Sequence, residues 1–334
     1  MNPLIMDAGD LFFAKTTVTG IAGEKAILQA KTIVDGFNII GCDAINIGAK
    51  DFAQGLDFLQ ELETMSSFPF LSANIVEEST SELVFKEYEI VEREGFRFGI
   101  VGLVGSLSNI TRGSLTTLNF IQRGKEVLED LEENSDYQIV LFNGTVEQAN
   151  TIKDSLTKAE FIFISGDTRN PTRSSGKVES GTLMKKLGKQ GKSLGVVTID
   201  IKKVGEPLRD LTSLSNRKKF LTRQLNRYNK KDPKKTLEEI YAQDERMLDR
   251  ISTMKTELEN ITEELLVEGN TVRFDFVPMS KNIGDNMLLL SMVNETLAQC
   301  DALGPDNTSS NQRNSTKKSG RSPKKTESQT KPGK

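Results

Sequence analysis

The stretch Ala44-Ile45-Asn46-Ile47-Gly48-Ala49-Lys50-Asp51-Phe52 decides the fold, because a short apolar run ends there in a polar turn. Two more stretches have this form, Asp7-Ala8-Gly9-Asp10 and Ile164-Ser165-Gly166-Asp167-Thr168-Arg169. Short apolar runs bounded by turn residues indicate buried strands. Such runs alternate with amphipathic stretches from residue 4 to residue 202, and this alternation predicts a layered α/β fold.

The same pattern gives the individual elements of this region. Strands are predicted at 4–8, 44–47, 70–73, 139–142 and 161–164, and helices at 24–40, 56–63, 118–133 and 146–156. Glu94-Gly95 is typical of a tight turn, so the strands at 88–91 and 98–104 are predicted to form a hairpin. The strands at 183–187 and 196–201 are predicted to close the region as an antiparallel pair.

After Pro207 the apolar residues step by three and four, which predicts helices at 211–228 and 237–265. The second helix would be a continuous rod of about 42 Å. Asp232-Pro233 lies between the two helices and favours an antiparallel hairpin with coiled-coil spacing. Residues 217–235 carry nine Lys and Arg against Asp232, whereas the second helix is mostly acidic. Antiparallel pairing would therefore place opposite charges side by side.

Two interpretations of this helical region remain open. In the preferred one, the apolar positions of the two helices form a seam within a single chain. In the other, two copies of the chain associate through the same seam, at residues 209–266.

The rest of the C-terminal part divides into a structured segment and a basic tail. A strand at 272–277 and a helix at 284–303 are predicted to pack beside the base of the hairpin or back on the α/β region. Residues 305–334 carry eight Lys and Arg against Asp306 and Glu327 and have no large apolar residue, so this tail is predicted to be disordered. A solvated terminus is favoured over a contact with nucleic acid or anionic lipid, because no aromatic residue lies between the charges.

Composition restricts the classes of function. No apolar run reaches the ~18–20 residues that a membrane-spanning helix requires. The N-terminal MNPLIMDAGDLFF lacks the basic and apolar segments of a signal peptide. Cys42 and Cys300 are far apart and are interpreted as buried apolar residues. The 334 residues include no histidine, which removes the usual proton carrier near neutral pH.

The three polar turns, together with Phe70-Leu71-Ser72-Ala73-Asn74 and Gly99-Ile100-Val101-Gly102-Leu103, resemble the calcineurin-like metallophosphoesterases. Within that superfamily the chain is most similar to the 5′-nucleotidase/UDP-sugar hydrolase branch. The resemblance covers about residues 1–202 and implies a four-layer αββα sandwich. It also implies two metal ions held by Asp, Asn and His, and an extracytoplasmic location. The predicted domains are a metallophosphoesterase-like unit at 1–206, a coiled-coil hairpin at 207–268, a strand-helix segment at 269–304 and the tail at 305–334.

The resemblance also assigns the candidate site residues. Asp10 stands where the family has a metal-bridging carboxylate, and Asn143 stands where it has a histidine after a strand. Gly48-Ala49-Lys50-Asp51 replaces Gly-Asn-His-Glu/Asp, and Gly166-Asp167-Thr168-Arg169 replaces Gly-His-x-His. The family's first strand, with an Asp-x-His pair, has no counterpart, so the unit is expected to be N-terminally incomplete.

The chemistry of these residue types supports several hypotheses. Asp10, Asn143 and Asp167 could form an oxygen-only centre for Mg²⁺ or Mn²⁺. Arg169 and Arg173 could bind an anion such as phosphate. Lys50 could stabilise an anion, but an ammonium group cannot ligate a metal and is a poor acid near neutral pH. Asp51 is interpreted as an acid at a helix N-terminus and Asn143-Gly144 as turn residues.

Three functions follow. The preferred one is a non-catalytic binding or interaction module, a pseudoenzyme with an unidentified protein partner or a phosphate-bearing small molecule as its ligand. The second is a metal-dependent phosphohydrolase that acts on a nucleotide or another phosphomonoester. The third is a coiled-coil oligomeric scaffold in which residues 209–266 carry the function.

Overall fold

A parallel sheet formed by the N-terminal residues carries the turn at 48–52. In the computed structural model, which describes residues 2–107, 114–166, 181–188 and 191–305, its strands are β1 (Met6–Asp7), β2 (Ala44–Asn46) and β3 (Phe70–Leu71). Helices α1 (Gly20–Ile40) and α2 (Leu56–Met65) connect them, as parallel strands require. A short 3₁₀ turn, Ala49–Phe52, directly follows β2.

A second, five-stranded sheet follows in the chain. Its strands, in spatial order, are β10 (Leu183–Lys186), β9 (Phe161–Gly166), β8 (Tyr137–Gly144), β6 (Phe96–Val104) and β5 (Tyr88–Arg93). All are parallel except β5, which pairs antiparallel with β6 across Glu94-Gly95. Both turn residues have positive φ, 51° and 82°, so the predicted hairpin is confirmed.

Helices cover the outer face of each sheet, which gives four layers. Residues of α1 and α2, such as Val34 and Leu59, pack against Ile45 in the first sheet. Helices α3 (Phe120–Asn134) and α4 (Val146–Ser155) pack against the second sheet, and a small antiparallel ribbon pairs β4 (Ile75–Glu77) with β7 (Leu115–Thr117). Between the sheets, Leu71 packs in one cluster with Ile100 and Leu141. The predicted αββα sandwich is confirmed.

A third sheet corrects one predicted strand pairing. It holds β11 (Ser193–Asp200), β13 (Thr271–Pro278) and β12 (Arg209–Asp210), with β11 antiparallel to β13 along eight residues. The predicted pair of 183–187 with 196–201 is wrong, because β10 pairs parallel with β9 and β11 pairs with β13. The third sheet thus joins residues from both sides of the predicted boundary after residue 206. The domain boundaries remain predictions.

The helical hairpin follows the sandwich as predicted, but its second arm is interrupted. Helix α5 (Thr212–Asn229) packs along α7 (Glu245–Glu264), and a short α6 (Leu237–Ile240) lies between them. The predicted continuous helix at 237–265 is wrong, because Asp244 caps α7 by accepting a hydrogen bond from the Met247 N–H at 3.1 Å. Leu221 and Ile251 are buried within the chain, which favours the hairpin interpretation. Association through the seam remains a prediction.

Helix α8 (Met287–Ala302) packs back on the sandwich, one of the two positions predicted for it. The hydroxyls of Thr32 in α1 and Thr296 in α8 lie 2.6 Å apart, and Cys300 is buried against α1. Within the described ranges, no helix combines the length and the apolar character that crossing a membrane requires. The tail from residue 306 onward lies outside those ranges.

Candidate functional site

Asp10 lies in the turn after β1, and its side chain is only 8% exposed. Its φ of 60° places the backbone in the left-handed region, which aims the carboxylate toward the turn after β2. Lys50 donates to this carboxylate twice, from its backbone N–H at 2.8 Å and from its ammonium Nζ at 2.5 Å. A Cβ on Gly9 would lie 3.0 Å from the Asn46 carbonyl oxygen and from the Gly48 nitrogen, so only glycine allows the two turns to approach this closely.

Asp51 links the same two turns through hydrogen bonds with their backbone N–H groups. Its buried carboxylate accepts hydrogen bonds from the backbone N–H groups of Asp10, Gly48 and Phe12, at 2.9, 2.8 and 3.0 Å. The bond from Gly48 caps the 3₁₀ turn that contains Asp51. The helix predicted to start directly after Asp51 begins only at Leu56, so Asp51 lies in the first turn of the 3₁₀ segment and not at the N-terminus of α2. The other two bonds reach 41 and 39 residues back along the chain and give Asp51 a larger structural role than sequence reasoning assigned.

Burial shifts the protonation of two carboxyl groups here. It raises the pKa of Asp51 to about 7; the negative charge of Asp10 adds to this rise, and the N–H groups of Phe12 and Gly48 oppose it. Burial likewise raises the pKa of Asp7 to about 6, against the hydrogen bond from the Gly9 N–H. Both groups therefore change charge near neutral pH.

Asn143 approaches Asp10 from the end of β8. Its side-chain oxygen accepts a hydrogen bond from the Ala49 N–H at 3.1 Å, and its Nδ2 donates to Ser165 Oγ at 2.8 Å. A Cβ on Gly48 would meet Asp10 Oδ1 at 2.5 Å and Asn143 Nδ2 at 2.6 Å. The structure thus brings Asp10 and Asn143 together around Gly48. The predicted reverse turn at Asn143-Gly144 is wrong, because both residues lie within β8.

Two polar residues near the site were not predicted. Asn46 is fully buried, and its Nδ2 donates to the carbonyl oxygens of Ala8 and Leu103, both at 3.0 Å. Ser165 donates to the Ala8 carbonyl oxygen at 2.6 Å. A single polar residue within an otherwise apolar strand run is a signal that could have identified both.

The remaining predicted site residues, Asp167, Arg169 and Arg173, lie outside the residues that the structure describes. In the part of the chain that is described, no three His, Cys, Asp or Glu side chains are grouped so that they could hold a metal ion. The metal-ligand and anion-binding assignments remain predictions.

Comparisons with known proteins agree with this architecture. No family model matches the chain. A stretch of 100 residues is 33% identical to protein UshA of Yersinia enterocolitica and covers 30% of this chain and 17% of that protein. A stretch of 175 residues is 29% identical to a probable 5′-nucleotidase of Treponema pallidum and covers 50% of this chain and 28% of that protein. The chain thus spans only a small part of the length of these curated relatives.

The structural comparison extends further along the chain. The calcineurin-like phosphoesterase YfkN of Bacillus subtilis superposes with a TM-score of 0.60 over 90% of this chain and 84% of that one, at 14% identity. The αββα sandwich of this chain therefore has the fold of a calcineurin-like phosphoesterase. The stretches of sequence shared with protein UshA and with 5′-nucleotidases confirm the predicted resemblance to the 5′-nucleotidase branch.

Proposed function

We propose that the chain is a non-catalytic binding or interaction module built on the phosphoesterase scaffold. The observation that carries this proposal is the contact between the Lys50 ammonium and the Asp10 carboxylate at 2.5 Å. The Lys50 cation is thus ion-paired with Asp10, the carboxylate that would otherwise hold metal ions in the family.

Electrostatics supports this interpretation. Like charges about 4 Å apart near a protein surface repel by about 4 kcal/mol per unit charge, so a divalent ion beside Asp10 would have to displace Lys50. The Asn143 carbonyl oxygen is also engaged, by the Ala49 N–H. The described donors therefore do not fit a two-metal centre, which needs ions ~3.5–4 Å apart with free oxygen or nitrogen ligands.

The absence of histidine from the whole sequence supports the same conclusion. General acid catalysis requires a group that exchanges its proton near the working pH. Asp51 changes charge in that range, but its oxygens are buried and accept three backbone N–H bonds. It therefore cannot deliver a proton to a substrate in the cleft.

One observation favours the alternative, a metal-dependent phosphohydrolase for a nucleotide or another phosphomonoester. Asp10 and Asn143 converge on Gly48, as ligands of one ion would. Asp167 would supply a further oxygen for Mg²⁺ or Mn²⁺. In this alternative Lys50 moves away when a metal ion binds.

Metal titration separates the two functions. Mn²⁺, Mg²⁺ and Zn²⁺ would be titrated calorimetrically into the full chain and into the variants Asp10→Ala and Lys50→Ala. Asp57→Ala, which removes an exposed carboxylate elsewhere, is the matched control. The non-catalytic function predicts no binding below millimolar metal in the unaltered chain. Micromolar binding that Asp10→Ala abolishes and Asp57→Ala preserves, with hydrolysis of p-nitrophenyl phosphate, would overturn the proposal.

The Lys50→Ala variant tests the physical reason. If the lysine cation excludes metal, its removal should strengthen metal binding relative to the unaltered chain. If both proteins bind metal equally weakly, the missing histidine ligands are the cause instead, and the non-catalytic proposal stands without the electrostatic argument.

The ligand and partner of this module are part of the proposal. A phosphate-bearing small molecule would be recognised by Lys50 and by the two predicted arginines, Arg169 and Arg173. A third alternative, an oligomeric scaffold in which residues 209–266 carry the function, rests on the spacing pattern of the helices. An extracytoplasmic location is proposed from the family resemblance alone.

A further inference from the structure

The outer surface of the helical hairpin carries charges that the hairpin itself does not neutralise. Antiparallel packing of α5 on α7 was expected to pair the basic helix with the acidic one. Among the residues that the structure describes, one ion pair joins these two helices, Arg217 with Glu257 at 2.6 Å. Lys219 of α5 pairs with Asp275 of β13, and Lys255 of α7 pairs with Glu238 of α6.

A basic face runs along α5 on the side opposite the buried Leu221. It consists of Arg223, Arg227 and Lys230, which step by four and three residues and are all exposed. None of the three forms an ion pair with another residue in the described ranges. Phe220, at the rim of this face, exposes 46% of its surface.

An acidic face runs along α7, away from the buried Ile251. Its carboxylates belong to Glu245, Asp249, Glu259 and Glu263. Together with Ser252 and Thr256 they step by four and three residues along the helix, and all are exposed. Within the described part of the chain these four carboxylates also form no ion pair.

We propose that copies of this chain associate by contact between the basic face of one hairpin and the acidic face of another. The two faces are opposite in sign, exposed and carried by helices of similar length, 18 and 20 residues. A second copy therefore supplies the complementary charge that the hairpin lacks. This contact uses the exposed basic and acidic faces and not the apolar seam, which the single chain already buries. The proposed association is independent of metal binding at Asp10.

Such an association must be weak and sensitive to salt. Exposed ion pairs contribute little individually and are screened, since the Debye length falls from about 30 Å at 0.01 M salt to about 3 Å at 1 M. Three pairs at one contact would change the dissociation constant by about tenfold. We therefore expect the mean mass of the full chain, at about 100 µM protein, to fall toward that of one chain as salt rises.

Charge reversal gives the decisive test by analytical ultracentrifugation. Variant one carries Arg223→Glu, Arg227→Glu and Lys230→Glu, and variant two carries Glu245→Lys, Asp249→Lys, Glu259→Lys and Glu263→Lys. Each alone should sediment as a single chain at low salt, because both of its faces then have the same sign. An equimolar mixture of the two should associate again.

A matched control carries Lys15→Glu, Lys125→Glu and Lys192→Glu, three exposed reversals outside the hairpin with the same change in net charge as variant one. It should associate as the unaltered chain does. Circular dichroism would establish that the variants keep their helices. Any one of three results would overturn the proposal. The unaltered protein could have the mass of a single chain at low salt, both variants could still associate, or the mixture of the two variants could fail to associate.

Discussion

Replacing Asp51 with alanine removes the acceptor of three backbone N–H groups, the buried ones of Phe12 and Gly48 and the partly buried one of Asp10. A buried donor left without a partner costs about 1–3 kcal/mol, so the loss could reach about 9 kcal/mol. Two effects reduce it. Water can reach the Asp10 turn, which is only partly buried, and removing a carboxylate whose pKa burial raises to about 7 relieves its desolvation. We therefore expect a destabilisation of about 3 kcal/mol, close to the lower bound.

The midpoint of urea unfolding measures this loss, and hydrogen exchange followed by mass spectrometry locates it. Peptides that cover residues 8–13 and 46–52 should exchange faster in Asp51→Ala, whereas peptides from β8 should not change. Asp57→Ala, an exposed carboxylate in the first turn of α2, is the control and should cost less than about 0.5 kcal/mol. A loss below about 1 kcal/mol for Asp51→Ala, with unchanged exchange in both segments, would refute the assignment of Asp51 as the link between the two turns.

Three further predictions follow from buried groups. The folded-state pKa values of Asp7 and Asp51, about 6 and about 7, lie above the ordinary 3.8, so the native state holds these protons more tightly. The stability that these protons contribute should therefore fall as the pH rises from about 4 to about 7, and Asp51→Asn should flatten that slope in a melting-temperature series. Asn270→Ala removes four hydrogen bonds between a buried amide and residues 202–206, two accepted by Oδ1 and two donated by Nδ2. It should cost about 2–4 kcal/mol in urea unfolding, and a loss under about 1 kcal/mol would contradict this prediction. Leu221→Ala in the hairpin seam should lower the free energy of unfolding by about 2–5 kcal/mol, whereas Phe220→Ala one residue earlier should lower it by less than about 1. Equal losses would show that Leu221 is no more buried than Phe220.

Local chemistry made much of the fold readable from the sequence. Apolar runs that end in polar turns located the strands of both large sheets, because each run must be buried and each turn must satisfy its own backbone groups. Glu94-Gly95 gave the hairpin, since both residues accept the positive φ that its turn requires. These features depend on residues only a few positions apart.

The predictions that the structure contradicts concern features that distant parts of the chain decide. β11 finds its partner in β13, about 70 residues later, and nothing in the local pattern of either strand selects that partner over β10. The helix predicted at 237–265 breaks because Asp244 can cap a helix as well as interrupt a seam, and spacing alone does not distinguish the two. Asp51 was predicted to precede a helix, but it caps a 3₁₀ turn instead, and its bonds to the turn after β1 were not visible in sequence.

Lys50 and two raised carboxyl pKa values reduce the negative charge at the candidate site. The carboxyl groups of Asp7, Asp10 and Asp51 repel one another at one end of the sandwich, which would disfavour close packing of the turns. The Lys50 ammonium neutralises Asp10, Asp51 with its pKa of about 7 holds a proton part of the time at neutral pH, and Asp7 with its pKa of about 6 holds one only in mildly acidic solution. Hydrogen bonds from Ala49 to Asn143 and from Gly48 to Asp51 then link the turns directly. The ion pair between Lys50 and Asp10 and the hydrogen bonds of Asp51 therefore supply a positive charge and a cross-link between the two turns, as the proposed binding module would require.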